Sequence, residues 1–195
     1  MQEILTMLNS KINTPCDINE HLQALYELSK GCEHITEFGT REITATWAFL
    51  AAKPTKFVGV DIYESPNLPH ALELCKQNGI EFEWRNHSTL EPGFLTEETD
   101  LLFIDTAHTY GQLREELKRH GNQARKYIAF HDTVTFGHVN EAPYLANKDF
   151  EDSIPASAPK GLVPAIDEFL EENPHWVREK VYTHNNGLTI LKRIG

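Results

Sequence analysis

Cysteine is scarce in this sequence: Cys16, Cys32 and Cys75 are the only three, and no two are spaced Cys-x-x-Cys. An odd count without that spacing excludes a thiolate zinc site and a disulfide framework, and it suits a reducing, cytoplasmic setting. Long apolar runs are missing too. No stretch approaches the roughly 20 apolar residues that cross a bilayer. The first residues, Met1-Gln2-Glu3-Ile4-Leu5-Thr6-Met7, place no basic region ahead of an apolar one, so no membrane anchor and no secretory signal are expected. Basic residues are outnumbered, with 18 Lys and Arg against 29 Asp and Glu and a formal net charge of −11. A nucleic-acid partner requires clustered Lys and Arg against its phosphates. The two basic clusters, 114–125 and 178–180, carry interleaved acids, so nucleic acid is not expected as the main partner. The acidic balance favours solubility.

Glycine is sparse where a phosphate-binding loop needs it. The apolar run His34-Ile35-Thr36-Glu37-Phe38 reads as a buried strand entering a turn at Gly39, and Thr40-Arg41-Glu42-Ile43-Thr44 brings no second glycine. A helix follows over 44–52, apolar on all sides and so expected to be deeply buried. About 20 residues after Gly39 a second strand, Phe57-Val58-Gly59-Val60, ends on Asp61. A glycine turn followed at that distance by a strand-terminal acid is how open α/β sheets hold a nucleoside-type ligand, the acid taking ribose hydroxyls. Dinucleotides need Gly-x-Gly-x-x-Gly so that a pyrophosphate can sit on the helix N-terminus, and Glu42 would repel one. A ligand with ribose and adenine but no phosphates fits better, S-adenosylmethionine being one.

The rest of the chain continues the alternation. A helix over 18–31 is expected, with Asn19 as its N-cap and Gly31 as its stop. Strands are expected at 56–62, 80–86, 101–105 and 127–131, and helices at 69–78, 110–124 and 161–172. The predicted architecture is a doubly wound α/β sheet in one domain spanning 1–195, with 1–31 as an N-terminal helical segment. Residues 133–159 are polar, rich in Pro, Asn and Ala, and weakly periodic, which marks a lid or acceptor-binding loop. Two strand-like runs flank Asn186-Gly187 and predict a terminal antiparallel hairpin.

Glu37-Phe38-Gly39-Thr40-Arg41 followed by Thr46-Trp47-Ala48-Phe49-Leu50 resembles the first motif of class I S-adenosylmethionine-dependent methyltransferases. Asp100-Leu101-Leu102-Phe103-Ile104-Asp105-Thr106-Ala107-His108-Thr109-Tyr110 resembles the Ile-Asp-x-x-His-x-Tyr signature of one branch, as does Phe130-His131-Asp132-Thr133. That branch groups small methyltransferases with the cephalosporin-hydroxylase-like and macrocin-type sugar O-methyltransferases. The resemblance covers roughly residues 17–193. It implies a Rossmann-like, mostly parallel sheet with a C-terminal antiparallel hairpin. Thr44 stands where the family often has a second glycine, and Thr133 where catechol-type relatives often have a metal-binding Asn.

Ligands of open α/β sheets lie beyond the carboxyl ends of the strands. Glu37 to Gly39, Asp61, His87 with Ser88, Asp105 and His131 with Asp132 all fall at such ends and should converge on one crevice. Asp61 is expected to take ribose hydroxyls. Gly39 and Thr40 are placed at the methionine part, Glu37 at the turn or the cofactor amine, and Arg41 at the cofactor carboxylate or a surface salt bridge. His87 and Ser88 are placed where the family contacts adenine. Asp105 and Asp132 can share a hard divalent cation such as Mg2+ with substrate oxygens, as the resemblance also implies. His108, as a neutral imidazole, is the expected general base beside Asp105. The expected activity is metal-assisted O-methylation of a small sugar or phenolic hydroxyl. An NAD(P)- or nucleotide-dependent oxidoreductase and a non-catalytic cofactor-binding module are the alternatives. The sequence leaves the acceptor and any homo-oligomer open.

Overall fold

The computed structural model describes residues 1–143 and 147–195. Helices α1 (Gln2–Ile12) and α2 (Leu22–Ser29) come first, with a 3-10 turn at Asn19–His21 before the second. Next are β1 (His34–Phe38), α3 (Thr46–Ala51), β2 (Lys56–Asp61), α4 (Leu68–Asn78), β3 (Glu81–Asn86), β4 (Thr99–Ile104), α5 (Tyr110–His120) and β5 (Ala124–His131). The chain ends with α6 (Lys148–Asp152), α7 (Leu162–Glu172), β6 (Trp176–Tyr182) and β7 (Leu188–Arg193).

One seven-stranded sheet has the order β3-β2-β1-β4-β5-β7-β6. The first five strands pair in parallel. β7 enters antiparallel between β5 and β6, so the hairpin expected around Asn186-Gly187 closes the sheet. Asn185, Asn186 and Gly187 all have positive φ (43°, 69° and 94°), the backbone a tight hairpin turn requires.

Strand side chains alternate between two apolar layers. Ile35, Phe57 and Phe103 pack with Ile4, Trp47 and Phe49 from the helices on one face. Phe38, Val58 and Ile104 pack on the other with Leu113, Leu117 and Ile166 from α5 and α7. Each such side chain contributes about 1.5–3 kcal/mol on burial. All six residues of α3 are buried, because α1 and α2 cover the side that the sheet does not. This is why the helix carries no polar face.

Element boundaries differ from the sequence reading in several places. Asn19 does not cap a helix. Its Oδ1 accepts from Cys16 N and its Nδ2 donates to Ile12 O, so it ties the turn before α2 to the end of α1. The helix expected over 110–124 ends at His120, and β5 begins at Ala124, ahead of the expected residue 127. The segment 133–159, expected as a lid or acceptor loop, includes the short helix α6, and its residues 144–146 lie outside those described.

Candidate functional site

The strand order reverses between β1 and β4, and the crevice opens beyond their carboxyl ends, where Gly39 and Asp105 lie side by side. Asp105 N donates to Phe38 O at 2.8 Å. A Cβ at Gly39 (φ 81°) would stand 2.0 Å from Asp105 O. This glycine therefore admits the backbone of the neighbouring strand end, and it also lines the cavity. The turn continues through Arg41 (φ 43°) and Ile43 (φ 53°), left-handed positions that non-glycine residues rarely adopt. Asp61 holds it there. Its Oδ2 accepts from Thr40 N and Arg41 N, each at 2.8 Å, and its Oδ1 accepts from Tyr63 N at 2.9 Å.

Arg41 forms the salt bridge that the sequence left open, to Asp17 Oδ2 at 2.7 Å, with a largely exposed side chain. Glu37 shares a strand face with Ile35 and points toward α3, where Thr46 Oγ1 donates to its Oε2 at 2.6 Å. Its Oε1 is buried without a partner. Burial pushes the Glu37 pKa well above the usual carboxylate range, against the opposing Thr46 hydrogen bond.

A cavity of about 280 Å³ opens beside the turn. Gly39, Asp61 and Tyr63 form one side, and His87, Ser88 and Gln112 are among the residues on the other. The His87 ring packs edge-on against Phe94 at 4.5 Å. Ser88 Oγ accepts from Leu90 N at 3.1 Å, which fixes the loop after β3. The cavity also reaches Asp105, and so meets the second cluster.

In that cluster His108 Nε2 lies 3.0 Å from Asp105 Oδ1 and 3.1 Å from Asp132 Oδ2. Its Nδ1 lies 2.9 Å from Glu141 Oε2, and its ring stacks on Phe136 at 5.0 Å. Burial lowers the His108 pKa, but hydrogen bonds to Asp105 and Glu141 outweigh it and push the group up to about 10. The neutral imidazole expected from the sequence is therefore an imidazolium here. Burial likewise lowers the His131 pKa, and Asp105 and Asp132 raise it to about 10. Burial raises the Asp105 pKa, and the two histidines overcome that and hold it well below the usual range.

His131 Nδ1 sits 3.4 Å from both Asp105 Oδ1 and Asp132 Oδ2, close but without hydrogen-bond alignment. Asp132 has φ 59°, and its Oδ1 is buried without a partner. Asp105, His131 and Asp132 each offer one ligand atom within 4.8 Å of the others. Two neighbouring carboxylates, one with an orphaned buried oxygen, fit a divalent cation, and His131 joins them as a donor on losing its Nδ1 proton.

The sequence reading brought together Gly39, Asp61, His87, Ser88 and Asp105, which line the cavity, and Asp132, which lies in the cluster that shares Asp105. It missed His131 as a donor, although its position beside Asp132 at a strand end was the available signal. It also missed Glu141, 33 residues from its partner His108. Nothing local marks that pairing.

No protein-family model matches the chain, and no curated protein matches it. Solved structures do. A protein from Corynebacterium glutamicum superposes with TM-score 0.64 at 13% identity over 100% of this chain and 91% of its own. The S-adenosylhomocysteine-bound methyltransferase PaMTH1 of Podospora anserina gives 0.58 at 14% identity over 98% and 88%. The O-methyltransferase TomG of Streptomyces achromogenes, involved in tomaymycin synthesis and solved with S-adenosylmethionine, gives 0.54 at 15% over 91% and 81%. The chain has the class I methyltransferase fold, a Rossmann-like sheet closed by an antiparallel hairpin.

Proposed function

We propose that the chain is an S-adenosylmethionine-dependent methyltransferase that methylates a hydroxyl of a small molecule. The observation that carries this reading is the junction of the two halves of the crevice. A nucleoside-sized cavity flanked by Asp61 and the Gly39 turn runs directly into the Asp105, His131 and Asp132 cluster. The fold shared with TomG and PaMTH1 supports it as well.

In this reading Asp61 takes the ribose hydroxyls through the lone pairs that its amide donors leave free. The Gly39–Thr40 turn borders the methionine part, and Glu37 Oε1 meets the amine. Arg41 reaches the carboxylate once it leaves Asp17. His87 and Ser88 flank the base. Asp105 and Asp132, joined by His131, would hold a divalent cation such as Mg2+. When bound, that cation supplies positive charge which acidifies the acceptor hydroxyl and relieves the pull of the two aspartates on the His108 proton. His108, once its Nε2 proton has left to solvent, accepts the hydroxyl proton at Nε2, while Glu141 keeps Nδ1 and the ring plane fixed. Phe136 against the same ring keeps water from that side. Orientation of the acceptor in line with the methyl group supplies part of the rate.

The test is transfer of labelled methyl from S-adenosylmethionine to a panel of sugars and phenols, with and without EDTA. Transfer that EDTA abolishes is expected. Transfer unaffected by EDTA removes the cation from the mechanism. No transfer to any panel member, with cofactor bound, favours a binding module.

A further inference from the structure

The mechanism above leaves the buried carboxylate of Glu116 unused. Glu116 on α5 has no exposed surface. Every hydrogen-bond partner it has is a donor. Thr89 Oγ1 donates at 2.6 Å and Gln112 Nε2 at 2.9 Å, and Thr106 Oγ1 lies 2.9 and 3.0 Å from the two carboxylate oxygens. Gln112 Nε2 also donates to Thr89 Oγ1 at 3.1 Å.

Burial raises the Glu116 pKa, against the hydrogen bonds from Thr89, Gln112 and Thr106, and with the carboxylate ionised these bonds fix the direction of every proton. A hydroxyl has one proton, and Thr89 gives its own to Glu116, so toward Gln112 it can only accept. The amide must then present nitrogen to Thr89, and both its hydrogens are taken up inside the network. The polar atom left free on Gln112 is the carbonyl Oε1. Thr109 Oγ1 caps α5 by accepting from Gln112 N at 3.1 Å, which holds the backbone of this residue still. Thr89, Thr106 and Gln112 all line the cavity. What they offer a ligand there is lone pairs.

We propose that Glu116 is a positioning residue which fixes this wall as acceptor-only, so that the cavity selects a 6-aminopurine nucleoside over a 6-oxopurine one. The inference rests on the nucleoside-cofactor reading above. A 6-amino group brings hydrogens to Gln112 Oε1. A 6-oxo group brings lone pairs against it, and the amide cannot turn over without breaking two bonds inside the network. A site built to pair a polar group rejects the mismatched analogue because buried partners are left unpaired.

The test is calorimetry on the full chain with S-adenosylhomocysteine and its 6-oxo counterpart, S-inosylhomocysteine. The wild-type protein should prefer the amino compound by about 30-fold or more. Glu116→Gln introduces a donor into the network and frees Gln112 to turn, so the preference should fall to about threefold or less. Gln112→Met removes the acceptor and leaves Glu116 in place, and the same fall is expected. It decides the matter if Glu116→Gln does not fold. Equal wild-type affinity for the two compounds overturns the inference and leaves the cofactor reading standing. So does an unchanged preference in a natively melting Glu116→Gln or in Gln112→Met. Failure of both compounds to bind the wild-type protein removes the cofactor reading and the inference with it.

Discussion

Asp61 shows how one side chain serves both the fold and the site. It accepts three backbone amides of the turn and its own loop, and it borders the cavity. Asp61→Ala should therefore weaken S-adenosylhomocysteine binding by about 1.5–3 kcal/mol and also lower the melting temperature. Lost affinity with an unchanged melting curve would mean that the turn does not depend on it.

Glu37 should behave in the opposite way. Burial raises its folded-state pKa, so the folded protein holds this proton at pH values where the unfolded chain has released it. Stability then falls as pH rises from the ordinary carboxylate value up to the folded one. Glu37→Gln should melt higher than wild type without ligand, with the gap widening over that window and then levelling. The same variant should bind S-adenosylhomocysteine more weakly. A gap independent of pH would show that Glu37 is not held protonated. At the reaction centre, Asp132→Ala should remove cation binding and leave S-adenosylhomocysteine binding nearly intact, since the cavity walls come mainly from earlier strands. His108→Ala should slow turnover by about 10²–10⁴-fold. Activity equal to wild type when chemistry limits would take His108 out of the proton path.

Residues at strand ends were legible because the alternation of elements alone places them on one edge of the sheet. Glu116 and Glu141 were not. Their roles depend on partners that only the folded chain brings near, as with Glu116 and Thr89, 27 positions apart.

At the level of elements, the segment 133–159 departs most from a plain reading of its composition. Its described part is tied down at several points. Asn140 Oδ1 accepts from Tyr110 N at 3.1 Å and Gly161 N at 2.7 Å, bridging the starts of α5 and α7. Glu141 N donates to His108 O, and Thr109 Oγ1 donates to Glu151 Oε1. A polar, weakly periodic stretch predicted a loop here, and its described part contains α6. These anchors, one of them backbone to backbone, join residues far apart in the sequence, and composition carries no trace of them. Limited proteolysis should cut this segment slowly in the wild-type protein and faster in Asn140→Ala, with cofactor and acceptor together restoring protection. Equal rates in the two proteins would show that Asn140 is not the anchor.

Across the whole molecule the fold was the most legible feature. Continuous apolar strands alternating with helices leave few topologies, and the Asn-Gly turn fixed the terminal hairpin. The deep burial of α3 was visible in its lack of a polar face, and α1 with α2 supplies the cover. The cofactor remains the claim on which the rest depends. The most direct measurement is calorimetry of the full chain with S-adenosylhomocysteine, NAD and ATP in parallel, repeated on Asp61→Ala. The account predicts a single S-adenosylhomocysteine site, tighter than either nucleotide and weakened in the variant. Tighter binding of NAD, or S-adenosylhomocysteine affinity unchanged by Asp61→Ala, would contradict it.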